Sequence, residues 1–161
     1  YNTLNEFKIS GIDFPIGERR AIRLTGKLDK LELSNGSKGG KGVVVVDYKT
    51  KAPQSRNWIL GKTKNSNGDY FRQLVFYKLL LDSMPRQKYN MAFGAIDFTE
   101  PDDKKRFRKE TFEISATDVN ELKKTIARAA DEIINLKFWN SRCGQKNCEY
   151  CALRDLMPGV F

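Results

Sequence analysis

The 161-residue sequence predicts a mixed α/β domain. Three observations predict it. Val43-Val-Val-Val46 is a run of β-branched residues, the composition of a strand covered on both faces and therefore central. Two stretches, 69–83 and 118–138, carry apolar residues at helical spacing. Extended segments precede the first of these and lie between the two, so the order is strands, helix, strands, helix.

Taken along the chain, residues 3–11 and 20–33 read as extended, the second with Ile22, Leu24, Leu28, Leu31 and Leu33 among polar neighbours. Ser34 to Gly42 is a loop by composition, because Gly and Asn reach positive φ at little cost. Residues 43–50 form the central strand. Residues 51–68 are polar, basic and irregular around Trp58, too long for a minimal connection, and long loops of this kind often carry function. Asp69 is the expected N-cap of the first helix, and Pro85 stands just past its end. Residues 89–98 and 107–114 read as two strands joined by a charged turn from Glu100 to Arg106. Ser115 or Thr117 would cap the last helix, Asp118 to Phe138, whose core face is Val119, Leu122, Ile126, Ala129, Ala130, Ile133 and Leu136. No repeat or Pro-rich linker divides the chain. The expectation is one domain over 1–161, closed by a cysteine-containing segment, 139–161. The first residue is Tyr rather than Met, which suggests a piece of a longer polypeptide.

Composition narrows the chemistry. Hydrophobic residues make up 40% and charged residues 30%, enough apolar material for one core and unlike a disordered chain. No apolar run approaches the roughly 18 residues of a spanning helix, and no secretion signal opens the chain, so a cytoplasmic protein without a membrane partner is expected. Lys and Arg number 29 against 20 Asp and Glu, a net charge of +9. That balance suggests a polyanionic partner, nucleic acid first and an anionic membrane second, with a simply solvated surface as the alternative. Histidine is absent, which excludes Ser-His-Asp and Cys-His catalysis and every His-ligated metal. Catalysis must rest on carboxylates, lysine, tyrosine or thiols. The three cysteines, Cys143, Cys148 and Cys151, are an odd number in a short stretch, which suits a metal-site fragment better than a disulfide framework.

The first hairpin holds the most informative geometry. If 20–33 and 43–50 pair antiparallel with Leu33 opposite Val43, Asp29 falls opposite Asp47. Opposed residues have Cβ atoms about 4.5–5.5 Å apart, so two carboxylates there repel unless something positive sits between them. Asp47 also ends the valine run, where a lone buried carboxylate costs several kcal/mol. A hard cation such as Mg²⁺ or Mn²⁺, which takes oxygen ligands, resolves both problems. Lys49 projects from the same strand face as Asp47. The alternative is a strand-end ion pair of Asp47 with Lys49, Asp29 facing solvent, and a bulge at Gly26 or a shifted register would break the pairing. Gln73 and Tyr77 share one face of the first helix beside Tyr70, Phe76 and Leu80. An amide among apolar neighbours must find partners, either on a nearby strand or at the metal site and its substrate.

At these residues the sequence resembles the RecB-like branch of the PD-(D/E)XK nuclease superfamily. Leu24-Thr-Gly-Lys-Leu-Asp-Lys30 is similar to its G-x-x-D strand, Val45-Val-Asp-Tyr-Lys-Thr50 to its D-Y-K-T strand and Gln73-Leu-Val-Phe-Tyr77 to its Q-x-x-x-Y helix. The likeness covers about residues 5–151. It implies a restriction-endonuclease-like core, a central mixed β-sheet flanked by α-helices. It further implies Mg²⁺- or Mn²⁺-dependent DNA cleavage, exonucleolytic in kind, within the repair and recombination work of helicase–nucleases, hence DNA and a helicase domain as partners and a place at the nucleoid. Carried over, Asp29 and Asp47 bind the metal with the backbone carbonyl of Tyr48. Lys49 orients the attacking water or stabilises phosphate charge, and Gln73 and Tyr77 support the site or position DNA. A divalent cation can polarise a phosphoryl oxygen and lower the pKa of water, so no histidine is required. In the iron–sulfur members C-x₂-C is followed by a further cysteine. Here Cys148 and Cys151 keep that spacing, Met157 stands in the later position, and Cys143 supplies a third thiol elsewhere. Iron–sulfur or zinc ligation by the three is one expectation, free thiols packing the end of the last helix the other. Lys51, Arg56, Lys62, Lys64 and Arg72 are expected phosphate contacts, and Trp58 is either a stacking platform for an unpaired base or a core residue. A catalytically inactive nuclease fold that binds DNA or holds a helicase is the competing reading, against which the intact Asp29, Asp47 and Lys49 speak.

Overall fold

The valine run forms what its composition requires. In the computed structural model, which describes residues 2–33, 41–85, 89–137 and 141–156, it is the heart of β3 (Lys41–Lys49), the middle strand of five. Val43, Val45 and Val46 are fully buried. β1 (Thr3–Ile16) and β2 (Arg20–Leu33) make a long antiparallel hairpin, and β2 pairs antiparallel with β3. β3 then runs parallel to β4 (Tyr89–Phe98), and β5 (Lys109–Phe112) returns antiparallel along β4, giving the order β1-β2-β3-β4-β5. The mixed sheet with its helices is the fold class read from the sequence.

A parallel pair cannot be joined by a tight turn; it needs a crossover of a dozen or more residues. That requirement accounts for the long stretch between β3 and β4. It holds α1 (Arg56–Ile59), a short helix capped by Ser55 that the irregular composition of 51–68 did not reveal, and α2 (Asp69–Asp82). α2 buries Leu74, Val75, Tyr77, Leu79, Leu80 and Leu81 against the sheet. Gly26 of β2 permits this approach, since a Cβ there would collide with Leu80. α3 (Ala116–Ile134) packs beside α2 and against β1, and α4 (Glu149–Asp155) carries the cysteine segment.

Several boundaries differ from the sequence expectation. The N-cap of α2 is Gly68, at φ 72°, and Asp69 is already helical. Ser115, not Thr117, caps α3 through a reciprocal capping box with Asp118. α3 stops at Ile134 because Leu136 turns to φ 52°, which no right-handed helix accommodates; Ala129, Ile133 and Leu136 are exposed rather than core. Phe138 lies outside the described residues, as do 34–40 of the Gly-rich loop, while Lys41 and Gly42 belong to β3. β1 continues past 11 to Ile16 across an irregularity between Ile9 and Ile12, and β5 is shorter than 107–114.

The segment between α1 and α2 is drawn tight at two glycines. Gly61 has φ 71°, and a Cβ on it would stand 2.9 Å from the backbone nitrogen of Gly68. Gly61→Ala should therefore cost roughly 1–3 kcal/mol, from left-handed strain and backbone crowding together. Urea unfolding should show a lower midpoint. An unchanged midpoint would mean that the two glycines do not pin this segment.

Candidate active site

The two-residue alternation of β3 places Val43, Val45, Asp47 and Lys49 on the side that α2 covers. Asp47 is 2% exposed and, among the described residues, is the buried charged one. Lys49 Nζ lies 2.6 Å from Asp47 Oδ2. It also donates to Gln73 Oε1 at 2.7 Å. Gln73 Nε2 donates to Tyr77 Oη at 2.7 Å, and Tyr77 Oη donates to Asp47 Oδ1 at 3.2 Å. Four side chains, two from β3 and two from successive turns of α2, thus close a ring in which each amide, hydroxyl and ammonium has work. The Lys49 ammonium also stands over the ring of Tyr70, 4.5 Å from its centroid. Tyr70 is held edge-on by Trp58, centroids 5.1 Å apart, and contacts Phe98.

Asp29 enters from β2. The register is the one that a symmetric hairpin predicts, Leu33 with Val43 through Lys30 with Val46. The described ladder ends there, one pair before Asp29 meets Asp47. The Tyr48 N–H donates instead to Asp29 Oδ2 at 3.0 Å. The Asp29 carboxylate thus sits where β2 leaves β3, beside the chain that carries Asp47 and Lys49.

The electrostatics follow from burial. Desolvation pushes the Asp47 carboxyl above the usual range; Lys49 pulls it back only in part, and the Asp29 charge adds to the rise. The Tyr77 hydroxyl is driven well above its ordinary value, by burial first and then by the Asp47 charge, so it stays a proton donor. Asp47 Oδ2 has the Lys49 ammonium beside it but no aligned hydrogen-bond donor. A buried carboxylate oxygen with an open lone pair, a second carboxylate nearby and the Tyr48 carbonyl in the same strand make an all-oxygen donor set, which fits a hard divalent cation.

The remaining expected residues separate. Lys51, Lys62, Lys64 and Arg72 are exposed, and no partner holds their side chains among the described residues. Arg56 is committed elsewhere. Its guanidinium donates to the Thr111 carbonyl at 2.9 Å and to Glu110 Oε2 at 3.2 Å, and it stacks over Phe112 at 4.2 Å, clamping α1 to β5. Trp58 packs on the core through Tyr70 and is only partly exposed, so of its two readings the structure favours the core residue. The three cysteines do converge. Their sulfurs lie within 4.8 Å of one another, with Cys143 and Cys151 at 3.6 Å, and none is in a disulfide. The Cys151 backbone N–H, then Cys143, lower the Cys148 thiol below its usual value. Met157 lies outside the described residues. Sequence reasoning counted Tyr70 only as an apolar neighbour; its position three residues before Gln73, on the same helical face, was the signal for its place under Lys49. It missed Thr99, whose N–H donates to the Lys49 carbonyl at 3.0 Å.

A family model for the PD-(D/E)XK nuclease superfamily matches residues 2–156. No curated protein matches the sequence. Among solved structures, a candidate exonuclease from Eubacterium rectale aligns over 98% of this chain and 57% of its own, with TM-score 0.50 and 14% identity. The protein SSO0001 aligns over 97% of this chain and 60% of its own, with TM-score 0.48 and 15% identity. The chain therefore spans less than two thirds of the length of either, and at such identities the likeness is one of fold.

Tyr77→Phe tests the ring. It removes one hydroxyl, leaving Asp47 Oδ1 and Gln73 Nε2 unpaired in a largely buried setting. The expected loss is roughly 1–3 kcal/mol, seen as a lower urea midpoint at unchanged slope. Wild-type stability in this variant would show that the ring is not formed in solution.

Proposed function

The chain belongs to the PD-(D/E)XK nuclease superfamily, and from that membership we propose that it is a divalent-cation-dependent deoxyribonuclease of the RecB-like branch, an exonuclease acting in DNA repair or recombination. The observation that carries the reading is the buried Asp47–Lys49–Gln73–Tyr77 ring with Asp29 beside it and an open lone pair on Asp47 Oδ2. Asp29, Asp47 and the Tyr48 carbonyl are the residues to hold Mg²⁺ or Mn²⁺. Bound there, the cation supplies charge against the phosphate oxygens and lowers the pKa of water.

The chain's own groups do the rest. Lys49 has three N–H donors. Gln73 takes one and Asp47 lies beside a second, which leaves a third for a phosphate oxygen or the attacking water. Gln73 and Tyr77 fix the direction of that ammonium and of the Asp47 carboxylate. The Tyr70 face beneath Lys49 holds the ammonium in place, and that positive charge stabilises negative charge gathering on phosphate. Lys51, Lys62, Lys64 and Arg72 supply phosphate contacts near this end of β3, and a surface of net +9 draws the polyanion in. Residues 1–161 make up a single nuclease domain in this reading. Its partners are DNA and a helicase domain in the same chain or complex, with a working place at the nucleoid. No helix is long and apolar enough to cross a membrane among the described residues. Cys143, Cys148 and Cys151 form a second, soft-metal site, for zinc or an iron–sulfur cluster completed by a further ligand.

Calorimetric metal titration beside cleavage of linear DNA tests the catalytic set. Asp47→Asn should lose most metal affinity and nearly all cleavage. Lys49→Ala should still bind metal while cleavage falls by on the order of 10²-fold or more, because a developing charge loses its partner. Asp29→Asn keeps an acceptor for the Tyr48 N–H and removes a repulsion, so the metal-free protein should be as stable or more stable, with a smaller gain from Mg²⁺ or Mn²⁺. Wild-type protein that binds no divalent cation, or Asp47→Asn protein that cuts at the wild-type rate, would remove the assignment.

Anaerobic purification with elemental analysis and visible absorption checks the cysteine site. Bound zinc or iron should fall away in Cys148→Ser and Cys151→Ser protein. Metal-free wild type under those conditions would leave three thiols and no second metal.

A further inference from the structure

We propose that the turn joining β4 to β5 is a grip for unpaired nucleotides, in which Phe107 stacks on a base and Lys104, Lys105 and Arg108 hold the adjoining phosphates. This deepens the nuclease reading and rests on it only for where the grip leads. Phe107 is 69% exposed, an unusual setting for a phenylalanine on a short turn. Lys104, Lys105 and Arg108 are exposed around it, with no partner for their side chains among the described residues. The acids of the turn do not cancel them. Asp102 is consumed by Arg106, and neither Glu100 nor Asp103 is ion-paired to these three cations among the described residues.

The turn is built, not slack. Asp102 Oδ1 accepts the backbone N–H groups of Lys104 and Arg106, each at 2.9 Å. Asp102 Oδ2 accepts Arg106 Nε at 3.0 Å and Nη2 at 2.9 Å. The backbone closes between the same residues, Asp102 N–H to the Arg106 carbonyl at 2.8 Å. Lys105 is thereby held at φ 58°. Such a frame presents an aromatic at little ordering cost.

It is also fastened to the candidate site. Phe98 pairs in register with Lys49, and the Thr99 N–H donates to the Lys49 carbonyl. The Phe98 N–H in turn donates to the Arg108 carbonyl at 3.0 Å. Arg108 therefore stands two strand spacings from Lys49, roughly 10 Å at about 4.8 Å each. A base in a duplex has both faces covered by its neighbours; an unpaired base offers one, so a protruding phenylalanine selects single strand. The flanking cations favour a polyanion over an apolar protein partner.

Fluorescence anisotropy of the full chain, without added divalent cation, on a labelled single-stranded oligonucleotide and on a blunt duplex of two annealed strands with no unpaired nucleotides tests this. Phe107→Ala should weaken single-strand binding about 5- to 150-fold and leave the blunt duplex unchanged, and Phe107→Trp should restore it. Removing the charges of Lys104, Lys105 and Arg108 together should flatten the salt dependence on single strand by about 2 in log–log slope. Single-strand affinity unchanged in Phe107→Ala, or lost equally on duplex, overturns the grip. Cleavage of linear DNA by wild type is followed in parallel with Mg²⁺ or Mn²⁺. Protein that binds single strand through Phe107 yet cuts nothing supports the grip and sinks the nuclease reading; protein that cuts while Phe107→Ala binds normally does the reverse.

Discussion

A carboxylate buried at the end of a valine strand is the constraint around which this molecule is arranged. Asp47 cannot stand alone in the core; an unpaired charge there would cost several kcal/mol. Lys49 answers it from two residues along the same strand, and that lysine, itself largely buried, needs further acceptors. They come from α2, which crosses β3 because β3 and β4 are parallel and a parallel pair demands a long return. Sheet topology and site chemistry are thus one arrangement. The crossover that makes the sheet mixed also brings Gln73 and Tyr77 onto the charged pair.

The same arrangement leaves something undone. A ring of side chains that satisfied every atom would be a structural ion pair and nothing more. Here one oxygen of Asp47 lacks an aligned donor, Lys49 retains a donor, and Asp29 stands at the point where β2 departs. Burial raises the Asp47 carboxyl, Lys49 pulls it back in part, and the Asp29 charge adds to the rise. Around this, Trp58, Tyr70 and Phe98 form an apolar bed under the ammonium. Mutating Trp58 would therefore act on Lys49 through Tyr70, and a loss of function there would not by itself mean a contact with DNA.

Much of this was legible before the fold. The run Val43–Val46 named the central strand, and of the registers left open the symmetric one, Leu33 with Val43, is the one that forms; a one-residue slip would turn Asp47 to the wrong face. The helical spacing of Gln73 and Tyr77 placed them together. What was not legible has physical reasons. α1 is too short to leave a periodic pattern, and its Ser55 cap looks like any loop serine. The end of α3 is set by a left-handed Leu136, a conformation that composition does not announce. Arg56 and Trp58 look like nucleic-acid residues in sequence because both types serve there; their partners, Glu110, Phe112 and Tyr70, are set by packing.

The sequence by itself determined the order of the strands and of the two longer helices, and it put Asp29, Asp47 and Lys49 near one another on neighbouring strands, since each depends on local pattern: residue type, period and spacing. Tertiary structure alone decided who partners whom. The closing of the Lys49–Gln73–Tyr77–Asp47 ring, the aromatic bed under Lys49, the convergence of three sulfurs and the fastening of the β4–β5 turn to Lys49 all join residues distant along the chain or brought near only by a turn's geometry. Such contacts depend on how α2 lies across the sheet and how the strands are ordered, and no local pattern encodes either.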